Sequence, residues 1–153
     1  MALKPDRFEE FVDTNFFMNE VAEQGVLVVY DTSSTGVGAM LDDVNAAVKL
    51  PDVENGSGEY PAGILVGDVV NKDLTQTHLN QHKRESQIGG KVGLLREMEV
   101  TTNMISGTPG PGLPAYFTVG GLLTTVATNS TRVGTWKGGK DADGYAKLLV
   151  NIV

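Results

Sequence analysis

His78 and His82, the two histidines of the chain, stand four residues apart, with Glu85 three residues further on. On a helix these three side chains share a face and carry the donor types of a zinc site. Leu79, Asn80 and Gln81 lie between the histidines, so the glutamate that a metalloprotease helix places after its first histidine is missing. The stretch 75–86 is also too polar to bury a metal site. A solvated or partner-facing loop fits these residues better, and no metal site is expected. Asp141-Ala142-Asp143-Gly144 has the opening of a calcium loop. Its glycine comes fourth instead of sixth, however, and Ile152 stands where the bidentate glutamate belongs. An Asp-Gly hairpin turn accounts for these residues.

Other chemistries fail on spacing. No Gly-x-Ser-x-Gly elbow is present, and no serine stands in a motif beside either histidine. Gly36-Val37-Gly38 lacks the third glycine of a dinucleotide fingerprint, and Gly89-Gly90-Lys91 lacks the upstream glycine and the Ser/Thr of a phosphate loop. Asp42-Asp43 and Glu9-Glu10 are sequence neighbours that point apart on any regular element. The chain has no cysteine, which removes thiol nucleophiles, thiolate metal sites and disulfides together and suits assembly in a reducing cytoplasm. No catalytic residue and no cofactor is expected, and the reading is non-enzymatic.

Nineteen acidic against twelve basic residues give a net charge of −7, which disfavours a surface for phosphate backbones. No apolar run approaches the roughly 20 residues of a membrane span, and Met1 to Pro5 carry no signal-peptide core. Neither a nucleic acid nor a membrane is expected as a partner.

The elements that would position any site are strands. Valine, threonine and isoleucine number 19, 14 and 4, and these β-branched side chains suit a pleated surface better than a helix. Nineteen glycines sit mostly between apolar runs, as turns and bulges require. The expected class is all-β. Gly25 to Tyr30 reads as a fully buried strand, Ala62 to Val70 and Lys91 to Thr102 as two more. Asp42 to Leu50 suits one or two helical turns that Pro51 ends. Asp52 to Pro61 reads as an acidic, flexible loop. Residues 71–89 form a long polar excursion. Strands at Leu113–Val119, Leu122–Ala127, Thr131–Trp136 and from Tyr145 onwards, with turns at Gly120-Gly121 and 137–144, predict a four-strand antiparallel meander.

Residues 1–24 stand apart from this β domain of residues 25–153. Phe8, Phe11, Phe16 and Phe17 are four of the five phenylalanines, interleaved with Glu9, Glu10, Asp13, Glu20 and Glu23. The Phe8, Phe11, Asn15 spacing allows a short helix capped by Asp6. Such a segment either folds onto its own core or lies as an arm on a neighbouring subunit. The arm is the expectation carried forward.

The run Gly112-Leu113-Pro114-Ala115-Tyr116-Phe117-Thr118-Val119-Gly120-Gly121-Leu122-Leu123-Thr124-Thr125 is followed by Thr131-Arg132-Val133-Gly134-Thr135-Trp136 and closes with Asp143 to Asn151. In its order of elements this C-terminal third, residues 107–153, resembles the capsid decoration (cement) proteins of tailed bacteriophages. Residues 63–70 and 93–102 match more loosely. The resemblance implies a small antiparallel β-barrel or β-tulip-like domain that trimerises on the outer surface of an icosahedral head. There it would bridge and stabilise major capsid subunits, after synthesis in the host cytoplasm. The acidic charge suits the outer face of a head better than its DNA-lined interior. The alternatives are another virion β-protein, such as a tail-tube or head-completion component, and a small metal-dependent enzyme using His78, His82 and Glu85.

Gripping a flat lattice favours extended segments with aromatic anchors. Phe8, Phe11, Phe16 and Phe17 are the first candidates for partner binding, and His78, His82, Lys83 and Arg84 of the polar excursion the second. On this reading, a chain lacking residues 1–20 folds but no longer binds capsids.

Overall fold

Alternating β-branched and apolar residues leave the backbone few options besides sheet, and the computed structural model is all-β. It describes residues 2–4, 8–32, 47–70, 85–127 and 130–152, with the backbone alone for residues 8–11 and 70. The strands are β1 (Phe8–Met18), β2 (Ala22–Glu23), β3 (Leu27–Tyr30), β4 (Ala47–Lys49), β5 (Pro61–Val70), β6 (Glu85–Ser86), β7 (Lys91–Thr102), β8 (Pro114–Phe117), β9 (Leu123–Thr124), β10 (Gly134–Trp136) and β11 (Ala146–Asn151). Nine of them make one sheet in the order β1-β4-β3-β5-β7-β11-β10-β8-β9, and β1 also pairs with β7. Hydrogen bonding therefore runs round a ring of five strands, β1-β4-β3-β5-β7, from which the four C-terminal strands extend. β2 and β6 form a separate two-stranded ladder.

β7 is the hinge of this topology. One edge runs against β1, with Phe8 opposite Glu99 and Phe17 opposite Lys91. The other edge pairs with β5 from Lys91 to Leu95, then with β11 from Glu97 to Thr102. Arg96 sits at the changeover, its carbonyl accepting from the Ile152 N–H at 2.9 Å. Two residues on, Met98 has φ +97°, a conformation that costs a side-chain-bearing residue about 1–3 kcal/mol and survives only where the surroundings enforce it.

Two apolar clusters occupy the two sides of the shared strands. Met18, Val28, Val48, Leu65, Val92 and Leu94 belong to the first, which draws on all five ring strands. The second joins Leu27, Val29, Ile64 and Leu95 to Phe117, Leu123, Trp136, Leu148 and Val150. β3 thus feeds both clusters by alternation, which is why Gly25 to Tyr30 reads as apolar without a break.

Several expectations change. The helix allowed for residues 8–15 is a strand, because β7 offers it a backbone edge over its full length. Its uneven apolar spacing is absorbed by three register irregularities, after Glu9, Phe11 and Asp13. The Asp13 carboxylate accepts from the Asn15 N–H at 3.0 Å inside the last of these. The segment drawn as an arm is also built into the sheet, through β7 on one side and, in parallel, β4 on the other. Met18 at its end is fully buried, and the strand pairing shows no boundary at residue 24. Of the helical turns allowed over residues 42–50, the described part, residues 47–50, is strand at Ala47–Lys49 and non-helical at Leu50.

The loop read as flexible, 52–61, is tied down. The Glu59 carboxylate accepts from the Asp52 N–H at 2.9 Å and the Val53 N–H at 3.4 Å, and Asn55 N–H reaches Thr118 Oγ1 at 3.1 Å. Gly56 lies so close to the Phe117 ring that a Cβ would stand 2.3 Å from it. The four C-terminal strands are present and antiparallel, but they are not a meander. β10 pairs with β8 and β11, which pushes β9 to the outer edge. Gly121, at φ +77°, sets the β8–β9 turn against β3, where a Cβ would meet the Leu27 carbonyl oxygen at 2.4 Å.

Candidate interaction surface

The outward face of the C-terminal strands is defined by alternation on β11. Ala146, Leu148 and Val150 point into the core. Lys147, Leu149 and Asn151 alternate with them on the opposite face. Leu149 stands opposite Glu99 of β7 and Thr135 of β10, and Asn151 opposite Glu97. Lys137 closes an ion pair with Glu99. Gly134 permits the close approach of β10 to β11, since a Cβ there would lie 2.1 Å from the Leu149 carbonyl oxygen. Arg132 stiffens the entry to β10: its Nε donates to the Gly134 carbonyl at 3.1 Å and its Nη2 to Thr135 Oγ1 at 2.6 Å.

Leu149 is 40% exposed and flanked by two hollows. One, of about 340 Å³, is lined by Arg132, Gly134, Thr135, Leu149 and Asn151. The other, of about 290 Å³, includes Glu97 and Met98 beside Leu149. Leu113, Val119 and Val126 are further exposed aliphatic side chains on the connections of the same unit, and Val53 is exposed on the loop that docks beside Val119. An aliphatic group ringed by amide, hydroxyl and charged groups makes a contact surface of the kind found in protein interfaces.

The candidates among the described residues, Phe8, Phe11, Phe16 and Phe17, all lie on β1. Phe8 and Phe11 lie on β1 in register with Glu99 and Glu97, on the strand edge that borders this face. Phe16 and Phe17 are half-buried. Phe16 packs on the ring cluster and against Tyr30, with ring centroids 5.6 Å apart. His78, His82, Lys83 and Arg84 lie outside the described residues. Glu85 pairs through the backbone with Glu23, and no cluster of metal-ligating side chains exists among the described residues. Asp141 to Gly144 forms a closed turn: the Asp141 carboxylate accepts from the Asp143 and Tyr145 N–H groups at 2.9 Å each. The Tyr145 N–H, then the Asp143 N–H and the Lys4 ammonium, hold that carboxyl below its usual range.

The exposed aliphatic residues were not singled out by sequence reasoning. A signal existed for Leu149, whose parity on β11 matches Tyr145, Lys147 and Asn151. For Leu113, Val119 and Val126, apolar residues beside turns, no periodicity distinguishes inside from outside. One carboxyl with a raised pKa stands out elsewhere, on β5. Burial raises Asp68 above the usual carboxylate range, against the hydrogen bond it accepts from Ser86 Oγ.

No protein-family model matches the chain, and no curated protein matches it either.

Proposed function

We propose that the chain is a structural, non-enzymatic virion protein that decorates the outer surface of a tailed-phage head. It acts as a homotrimer that bridges and stabilises major capsid subunits. The observation that carries this reading is the C-terminal unit. The segment bearing the decoration-protein resemblance folds as short antiparallel strands over Trp136 and Phe117 and turns Leu149 and its polar surround outward. The five-strand ring supports the barrel-like or tulip-like form expected of such a domain, and the net charge of −7 suits an outer face. Avidity across a trimer multiplies modest single contacts. The same reading retains Phe8, Phe11, Phe16, Phe17, His78, His82, Lys83 and Arg84 as residues near the capsid contact.

The test is cosedimentation of the purified chain with expanded, undecorated heads, combined with light scattering of the free protein. Saturable binding in multiples of three copies per site, with trimers or trimerisation on the head, is the expected result. No binding, with hexameric or stacked rings in electron micrographs, would favour a tail-tube or head-completion component instead. A stoichiometric bound metal would favour the enzyme reading through His78, His82 and Glu85.

A further inference from the structure

The changeover on β7 leaves a cleft. On one edge of β7, β5 is in register only from Ile64, opposite Leu95, and β11 only as far as Asn151, opposite Glu97. On that edge Arg96, between them, has no partner strand among the described residues and accepts the single bond from Ile152 N–H. A cavity of about 530 Å³ occupies this fork, a size within the range of small-ligand sites. Its walls come from both halves of the fold. Tyr30, Tyr60 and Pro61 supply the ring side, and Thr131, Arg132 and Ile152 the C-terminal side.

The chemistry of the cleft runs against that of the chain. In a protein of net charge −7, the cavity is lined by two guanidinium groups and by no carboxylate among the described residues. Arg96 Nη1 donates to the Tyr30 hydroxyl at 3.3 Å, which steadies the guanidinium and leaves its other donors without partners among the described residues. Arg132 is fixed from behind by Gly134 and Thr135. Neither arginine forms an ion pair with a described carboxylate. Guanidinium forks match planar carboxylates with paired hydrogen bonds. Ile152, Pro61 and the tyrosine rings give the same cavity apolar walls, which a bare inorganic anion does not need.

We propose that this fork is a binding site for a carboxylate carried on an apolar or aromatic body, held by Arg96 and Arg132 with Tyr30 positioning Arg96. The carboxylate belongs either to a free organic acid or to an acidic side chain of a partner. The inference does not depend on the virion reading and stands if that reading fails.

The test is a titration of the full ¹⁵N-labelled chain, followed through the arginine Nε–Hε signals. The probes are benzoate, the blocked dipeptide acetyl-Phe-Glu-amide, uncharged benzamide and inorganic phosphate. Benzoate or the dipeptide is expected to move the Arg96 and Arg132 signals saturably, with benzamide and phosphate at least about tenfold weaker. A dipeptide that binds more tightly than benzoate identifies a protein partner, and the reverse order a free acid. Arg96→Gln should weaken binding at least about tenfold. Arg132→Gln alters an exposed residue, so it supplies the same test should Arg96→Gln fail to fold. No saturation by any probe, phosphate binding as tightly as benzoate, or unchanged affinity in Arg132→Gln would overturn the proposal.

Discussion

The ring cluster and the C-terminal cluster are closed in different ways. The ring cluster is built from small and medium aliphatic residues contributed by segments far apart in the chain: Met18 from β1, Val48 from β4 and Val92 from β7 all meet in it. The C-terminal cluster centres on two large aromatic residues, Phe117 and Trp136, carried on strands close in sequence and laid against one face of β3, β5 and β7. The first depends on long-range closure, with its loop-closing entropy, and the second on large local side chains. Neither is a separate domain, because β7 lies in both. Losing closure should therefore cost more than losing any one side chain.

Deletion of residues 1–20 is the strongest way to break that contrast. It removes the partner of a whole edge of β7 together with Phe16 and Met18, so the expected outcome is loss of the cooperative melting transition by circular dichroism. A truncated chain that melts like the parent would return β1 to the status of an arm. Next in size are paired core truncations. Trp136, 1% exposed, should cost about 3–5 kcal/mol as Trp136→Ala, against about 2 kcal/mol for Val48→Ala in the ring cluster. Denaturant titration of both variants checks the ratio.

A smaller effect is expected at the β10–β11 contact. Gly134→Ala brings a Cβ onto the Leu149 carbonyl and should cost about 1–3 kcal/mol. Gly138→Ala, with nothing within 4 Å of its Cβ position, should stay within about 0.5 kcal/mol.

The smallest effect is the pH dependence from Asp68. Its folded pKa lies above the unfolded value because burial disfavours the charged carboxylate. Its contribution is therefore full below the unfolded pKa and is lost as pH rises through the folded one. Asp68→Asn should remove that part of the slope and raise the melting temperature at neutral pH relative to the parent, read by melting curves across the acid range. A variant that melts below the parent at neutral pH and loses less stability than the parent on acidification would show that Ser86 outweighs burial.

Much of the sheet was legible because composition and alternation report local burial. β7 appears in the sequence as Lys91 to Thr102, and β5 within one residue of its start, since long apolar runs bounded by glycine and polar turns have few other solutions. β1 was obscured. Its residues follow no single period, and only the bulges against β7 reconcile them with a strand. The order of the C-terminal strands was not legible either. Hairpin signals say that neighbouring strands return, whereas the placement of β9 outside β8 depends on the turn at Gly121 seating against Leu27. The fork cleft left one trace, the interruption of the apolar run by Arg96. Its walls, Tyr30, Tyr60, Arg132 and Ile152, are scattered through the chain, and only the topology of β7 brings them together.

Native-state hydrogen exchange of the β7 amides tests the central claim, that one strand joins both clusters into a single cooperative unit. Amides of residues 91–95 and 97–102 should exchange with the same opening free energy, equal to that of global unfolding, and those of β5 and β11 should follow them. Exchange of β10, β11 and residues 97–102 at a markedly lower free energy, while β3, β5 and residues 91–95 stay protected, would show two independently opening units and contradict it.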